Sequence, residues 1–364
     1  MQDVDGDGVS WLKRTRVSTG RLISMKLSIV AAATLTVAAC ACAPAACAQQ
    51  TLTGAGANFA GPVYARWFED YHAAHPSVSF KYQAVGSTGG QKLLLDGTAD
   101  FAASNTTLDN RSLARASKHI LHIPTLAGAV VVTYNLPGIE TLRLDGPALA
   151  NIYLGRITRW NDPAIAKLNA GVDLPPTDIT VIHRSDSSGT SYIFTDYLRN
   201  VSPFWELRVG RFMTPDWPTG LGARGNEGVK ALLQRAAGSI GYLELSYAME
   251  TSAPMAEIKN AEGEFVRPTP AGVTAAMAAT TAIPDDFRFS MVNAPGKASY
   301  PIGGATWFLV FEQQADPSKG KALVSFLSWM VTQGQNEVSD LDYAPLSAGM
   351  QARVLARVQA ISIK

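Results

Sequence analysis

Apolar residues along this chain form short continuous runs, separated by polar turns and by segments with helical spacing. The runs at 127–132 and 305–311 do not alternate with polar residues, which predicts strands that are buried on both faces. We expect both strands to cross between two domains. Val63, Trp67 and Tyr71 recur every four residues and predict a helix that buries this face. Strands interspersed with helices in this way predict an α/β fold.

Three glycine-containing turns each follow a predicted strand and precede a predicted helix. The turns span residues 54–59, 86–90 and 183–191. At such a junction the first helical N–H groups have no partner within the helix, and the helix dipole places positive charge there. Each turn can therefore bind an anion, with a simple N-cap role for Ser87 as the alternative. We expect Asn58 to cap the first helix and Gln91 to begin the second. Further along the chain, the glycine-rich stretch 222–228 predicts a loop that precedes a helix at 229–237.

The turn at 183–191 carries the strongest set of anion-binding groups. Ser188 and Thr190 supply hydroxyl donors, and Gly189 lets a ligand approach the backbone. Arg184 can supply a forked, cationic pair of donors that suits a tetrahedral oxyanion. His183 precedes Arg184 on the strand and faces the opposite side if the strand alternates, so we expect it to be packed or solvated rather than catalytic.

Length and charge limit the classes of protein to which this chain can belong. The chain has 364 residues, enough for two domains, with 31 basic and 30 acidic residues. Because no basic excess is available to neutralise a phosphate backbone, we expect no nucleic-acid partner. No histidine pair has a metal-ligand spacing such as His-Glu-x-x-His, and we predict neither a metal nor a cofactor.

The first 48 residues have the pattern of an export signal. A basic residue precedes the apolar run 27–39, and small residues ending in Ala46-Cys47-Ala48 follow it. The run is shorter than the ~20 residues of a spanning helix. We therefore predict a signal peptide and a periplasmic protein, with Met25 as an alternative start. Cleavage after Ala48 competes with lipidation at Cys40, which follows a lipoprotein-like box.

Eight short motifs together resemble, in order, the phosphate-binding proteins of ABC-type phosphate transporters. They are Gly54-Ala-Gly-Ala-Asn-Phe, Pro62-Val-Tyr-Ala, Gly86-Ser-Thr-Gly-Gly, Ile152-Tyr-Leu-Gly, Trp160-Asn-Asp-Pro, Arg184-Ser-Asp-Ser-Ser-Gly-Thr-Ser, Gly238-Ser-Ile-Gly-Tyr and Leu341-Asp-Tyr. The resemblance covers essentially all of residues 51–361. It implies a two-lobed periplasmic-binding-protein fold of type II, with hinge strands between the lobes and the ligand in the cleft. Lobe I would comprise 49–132 plus 304–364, and lobe II 133–303.

The resemblance also implies a function, a partner and a set of ligand-binding residues. The protein would capture inorganic phosphate as a monomer, without catalysis, and deliver it to the membrane permease subunits of an ABC transporter. The family's ligand-binding positions fall on Asn58, Phe59, Ser87, Asn105, Arg184, Ser188, Gly189 and Thr190. Phe59 and Gly189 would contribute only backbone N–H groups. Asp186 matches the acidic residue that holds the binding arginine.

Two of these positions depart from the family pattern. Asn58 stands where Thr or Ser is common, and a donor remains. Asn105 stands where the family carries Asp, whose carboxylate only accepts hydrogen bonds and so favours a protonated phosphate over fully ionised sulfate. The Asn105 amide both donates and accepts. We therefore expect phosphate binding with weaker rejection of sulfate; the alternative is that Asn105 keeps the same acceptor geometry with little consequence.

Three other functions are compatible with parts of this pattern. A binding protein for another tetrahedral oxyanion would use the same turns. A secreted phosphoryl hydrolase would need a base or metal beside Ser188, and Ser188 does not lie in a Gly-x-Ser-x-Gly motif. A structural exported protein with a vestigial site would bind no ligand.

Overall fold

The computed structural model describes residues 49–364. The predicted signal peptide, the lipidation site at Cys40 and the start at Met25 lie outside these residues. The strands are β1 (Gln50–Gly56), β2 (Val78–Gln83), β3 (Phe101–Ser104), β4 (Ile120–Asn135), β5 (Arg143–Leu144), β6 (Thr180–Arg184), β7 (Leu221–Ala223), β8 (Ser239–Glu244), β9 (Glu257–Lys259), β10 (Phe265–Val266), β11 (Gly303–Phe311), β12 (Gln313–Gln314) and β13 (Ser362–Ile363). The helices are α1 (Gly61–Ala74), α2 (Gly86–Leu95), α3 (Asn110–Arg115), α4 (Gly146–Tyr153), α5 (Pro163–Ala166), α6 (Gly189–Val201), α7 (Pro203–Arg208), α8 (Gly225–Arg235), α9 (Leu245–Met249), α10 (Pro270–Ala279), α11 (Pro317–Val331) and α12 (Ala348–Gln359).

An eight-stranded sheet in the order β2-β1-β3-β11-β4-β8-β6-β7 organises this part of the chain. One half has β1 parallel to β2 and β3, and the other has β6 parallel to β7 and β8. The long strand β4 joins the halves: residues 120–129 pair with β11 and residues 130–135 with β8. The predicted burial is confirmed for β4, and its crossing between two domains stays a prediction. The apolar strand β11 pairs with β3 and β4, so within this sheet the crossing between halves rests on β4.

Helix starts differ from the predictions where glycines are concentrated. The prediction that Asn58 caps α1 is wrong, because α1 begins at Gly61 with Ala60 as its N-cap. Helix α2 begins at Gly86 rather than Gln91. Glycine lowers helix propensity, but a Cβ on Gly90 would lie 2.5 Å from the Ala55 carbonyl oxygen, so the close packing of α2 on β1 requires glycine.

The predicted buried face of α1 is confirmed and belongs to an aromatic core on the first half of the sheet. Val63, Trp67 and Tyr71 are all buried. The Tyr64 ring lies 4.8 Å from that of Phe308 in β11, between ring centroids. Aromatic rings at this spacing bury large apolar areas, which stabilises the packing of α1 against the sheet.

Glu244 ends β8 at the junction of the two halves, where it pairs in register with Val130 of β4. It is fully buried, and burial raises its pKa to about 8. Its Oε2 atom lies 2.7 Å from the Tyr343 hydroxyl, which is also 2.7 Å from the Phe59 carbonyl oxygen. The phenol has one proton, so it can donate to only one of these groups. Ser246 also donates to the same Oε2 atom, from its N–H at 3.1 Å and from its hydroxyl.

We expect stability to depend on pH through Glu244. Its folded-state pKa lies above the ordinary value of 4.5, so the unfolded chain ionises first and the free energy of unfolding falls as pH rises towards 8. This slope reaches about 1.4 kcal/mol per pH unit. Urea unfolding of Glu244→Gln should show a weaker fall between these pH values than the wild type. The exposed Glu264→Gln is the control, and parallel curves for wild type and Glu244→Gln would contradict the assignment.

Candidate anion-binding site

The first turns of α2 and α6 meet where the two halves of the sheet face each other. A Cβ atom placed on Gly189, the first residue of α6, would lie 2.4 Å from the Asn105 Cβ and 2.7 Å from the Ser87 Oγ. A Cβ on Gly86, the first residue of α2, would lie 2.6 Å from the Ser187 carbonyl oxygen. Both helix starts are therefore glycine because their backbones approach the opposite half so closely. Two positive dipole ends face the same small space.

Arg184 ends β6 with its side chain buried beside the start of α6; the residue is only 1 % exposed. Asp186 holds its guanidinium in a forked pair, with Nε to Oδ1 at 2.7 Å and Nη2 to Oδ2 at 2.5 Å. The remaining nitrogen, Nη1, donates to Thr190 Oγ1 at 3.4 Å and to Asn226 Oδ1 at 3.2 Å. This geometry fixes the guanidinium plane and brings Arg184 and Thr190 together.

The charge on Asp186 is maintained by its partners. Burial by itself raises the pKa of this carboxyl, but the hydrogen bonds and charge of Arg184, with the Gly225 N–H at 3.0 Å, outweigh it and hold the pKa below its ordinary value. Asp186 is thus a carboxylate at neutral pH and offsets the cost of burying Arg184.

Asn105 faces this space with a side chain that lacks partners among the described residues. The residue is 3 % exposed, and its backbone N–H donates to Ser87 Oγ at 3.1 Å. Its Nδ2 and Oδ1 atoms are buried and make no hydrogen bond within residues 49–364. Because unpaired buried polar atoms are costly, this amide is suited to a polar ligand that both accepts and donates.

Asn58 and Phe59 lie in the loop between β1 and α1, beside the start of α8. The Asn58 Nδ2 atom is 3.7 Å from a Cβ placed on Gly225, and its carbonyl accepts from the Tyr247 hydroxyl at 3.2 Å. The buried Phe59 ring packs edge-to-face on Tyr343, at 6.3 Å between ring centroids. Phe59 can therefore offer a ligand only its backbone.

Ser188 is the N-cap of α6, and its Oγ accepts from the Ser191 N–H at 3.2 Å. The Tyr242 hydroxyl orders the same turn, because it contacts Ser191 Oγ at 2.6 Å and accepts from the Arg184 N–H at 3.2 Å. A hydroxyl at this N-cap can still donate its proton outwards while it accepts from the helix.

Sequence reasoning missed Asn226. It is fully buried in the first turn of α8, its Oδ1 accepts from Arg184, and its Nδ2 has no partner within the described part of the chain. The glycines at 222, 225 and 228 suggested a loop here, whereas α8 already begins at Gly225. The available signal was an asparagine between two glycines, Gly225 and Gly228.

The histidines do not contribute a base to this space. His183 stacks on Trp217 at 4.8 Å between ring centroids, and burial lowers its pKa. None of the hydrogen bonds of Ser188 within residues 49–364 involves a histidine. In the same residues no cluster of three His, Cys, Asp or Glu could hold a metal ion, and no helix is long and apolar enough to cross a membrane.

Comparisons with known proteins identify the family of this chain. The family model of the PBP superfamily domain matches residues 41–333. The chain is 39% identical to the phosphate-binding protein PstS of Xylella fastidiosa strain 9a5c over 308 residues, 84% of each chain. It is 39% identical to PstS of Pasteurella multocida over 314 residues, 85% of this chain and 89% of that one.

Solved structures show the same fold. A high-affinity periplasmic phosphate-binding protein, PfluDING, solved with phosphate, superposes with a TM-score of 0.68 at 20% identity, over 84% of this chain and 93% of that one. The predicted α/β, two-lobed periplasmic-binding-protein fold is confirmed. The chain belongs to the PBP superfamily and, within it, to the family of the PstS phosphate-binding proteins.

Proposed function

We propose that this protein is an exported solute-binding protein that captures inorganic phosphate between its lobes and delivers it to an ABC transporter permease. The observation that carries the proposal is the buried guanidinium of Arg184, held by Asp186 at the point where two helix N-termini face each other. A tetrahedral anion suits such a set of donors. The names of the PstS relatives support phosphate as that anion.

In this proposal eight residues bind the ligand from both sides. Asn58, Phe59, Ser87 and Asn105 belong to the lobe of 49–132 plus 304–364, and Arg184, Ser188, Gly189 and Thr190 belong to the lobe of 133–303. Along β4 the pairing partner changes between Ala129 and Val130, three residues before the proposed bound at 132. Asp186 positions Arg184. Binding favours the closed state through contacts that only that state makes.

The protein acts by capture, and no covalent step is involved. The names of the relatives, which are phosphate-binding proteins, support a binder over a phosphoryl hydrolase. We further propose a periplasmic monomer, either released after Ala48 or anchored by a lipid at Cys40.

Phosphate is expected to stabilise the mature protein. A ligand at 100 times its Kd adds about 2.7 kcal/mol to the free energy of unfolding. Calorimetric titration should give a saturable binding curve, and thermal unfolding should shift upwards with phosphate but not with chloride at the same ionic strength. Absence of both effects would rule out the proposal, and release of phosphate from p-nitrophenyl phosphate would support a hydrolase instead.

Removing the guanidinium should weaken phosphate binding strongly. Arg184→Ala leaves Asp186 buried without its partner, and truncation of such a pair costs about 2–5 kcal/mol. Phosphate titration checks this loss, with Arg235→Ala as the matched control, because Arg235 is exposed at the end of α8. An affinity loss below about tenfold would mean that the backbone donors dominate.

The side chain at 105 should set discrimination between phosphate and sulfate. The Asn105 amide can satisfy an oxygen with or without a proton, so sulfate is expected to bind measurably at millimolar concentrations. In Asn105→Asp the carboxylate should repel sulfate and sharpen the preference for phosphate. Calorimetric titrations of phosphate and of sulfate against the wild type and Asn105→Asp measure this discrimination. If the wild type binds phosphate but shows no sulfate binding at millimolar concentrations, the prediction is wrong.

A further inference from the structure

A polar cavity of about 200 Å³ lies directly beside the anion site and shares Asn105 with it. Its walls also include Thr106, Thr107, Tyr192, Arg211 and Arg288. The volume is several times the ~30 Å³ that one water occupies in the liquid. A substituent of several heavy atoms can therefore fit next to a tetrahedral group bound at Arg184.

The charges along this cavity favour an anionic substituent. Its walls hold two guanidinium groups, Arg211 and Arg288, and one carboxylate, Asp196. Arg211 Nη1 lies 3.2 Å from Asp196 Oδ1, an oxygen that also accepts from Arg199 at 2.8 Å. Asp196 Oδ1 is thus shared between Arg199 and Arg211, and Arg199 also lies 3.8 Å from Glu206, which does not line the cavity. Arg288 pairs with Asp286 at 2.8 Å, and its Nη1 reaches Asn110 Oδ1 at 2.7 Å.

The shared residue is chemically suited to a substituted phosphoryl group. An ester oxygen carries no proton and can only accept hydrogen bonds, whereas a carboxylate could offer it nothing. The Asn105 Nδ2 atom is a donor, is buried, and has no partner within residues 49–364. It can therefore satisfy the bridging oxygen of a monoester, or a phosphonate oxygen, at the boundary between site and cavity.

We propose that this cavity is a second subsite, and that the cleft binds small phosphorylated or phosphonylated carboxylic acids in addition to inorganic phosphate. The phosphoryl group occupies the site at Arg184 and Gly189, Asn105 contacts the substituted side, and the carboxylate lies between Arg211 and Arg288. The inference rests on the proposed function, because the phosphoryl group must first bind as phosphate does.

Calorimetric titration of the mature protein with four ligands tests the subsite. The ligands are inorganic phosphate, methyl phosphate, 2-phosphoglycolate and phosphonoacetate. We expect the two carboxylated ligands to bind about tenfold or more tightly than methyl phosphate, because charge-assisted hydrogen bonds contribute at this level. If 2-phosphoglycolate alone binds, the subsite accepts phosphate esters. If phosphonoacetate alone binds, it accepts phosphonates.

Two variants separate the subsite from the phosphate site. Val292 lines the cavity and is half-buried, so Val292→Trp should fill it and weaken the carboxylated ligands by about tenfold, while phosphate changes less than about threefold. Val172→Trp, at an exposed position, is the matched control. If Val292→Trp does not fold, Arg211→Gln carries the same test, because it removes a wall charge and should leave methyl phosphate binding unchanged.

The outcomes are distinct. Phosphate binding without binding of either carboxylated ligand at millimolar concentration overturns the subsite and leaves the proposed function intact. Carboxylated ligands that bind no more tightly than methyl phosphate, or that are insensitive to both variants, overturn it as well. Loss of phosphate binding in the wild-type protein overturns the proposed function, and the subsite with it.

Discussion

The burial of Arg184 is the constraint on which the rest of the site depends. A guanidinium removed from water loses several kcal/mol of solvation, so it is tolerated only with well-placed partners. Asp186 supplies the opposite charge, and the Gly225 N–H holds Asp186 in turn. Asn226 from α8 and Tyr242 from β8 complete the set, through the side chain and the backbone of Arg184. Three elements of one half of the sheet thus converge on one cation.

The other half of the sheet approaches this site with two uncharged side chains, those of Ser87 and Asn105. Gly189 allows α6 to come within contact of Ser87 and Asn105, and a side chain there would push the halves apart. On the far side, the hydroxyl of Tyr343 lies between Glu244 and the Phe59 carbonyl. The loop that contains Phe59 is therefore tied to the end of β8, next to the strand that joins the halves. Tyr343 therefore connects the packing at this junction to the position of Phe59.

Local pattern was sufficient for the long apolar strands β4 and β11 and for the buried face of α1, because apolar spacing depends only on neighbours in the sequence. It failed at the starts of α2 and α8. There the glycines lower helix propensity, yet Gly90 is needed where α2 rests on the backbone of Ala55, and Gly225 donates to Asp186. In both places a contact with a distant strand or turn outweighs the local preference. The same reason explains why Asn226 was missed.

By itself the sequence determined the chemistry of one short segment: Arg184, Asp186 and the turn from Ser188 to Thr190 lie within seven residues, so strand, turn and helix suffice to group them. Only the tertiary structure decided what faces that segment. Ser87 and Asn105 come from elements about a hundred residues earlier in the chain, and they reach Gly189 because β4 joins the two halves of the sheet. Side-chain burial, which leaves the Asn105 amide without a protein partner and beside a polar cavity, arises from packing between halves and has no local signature.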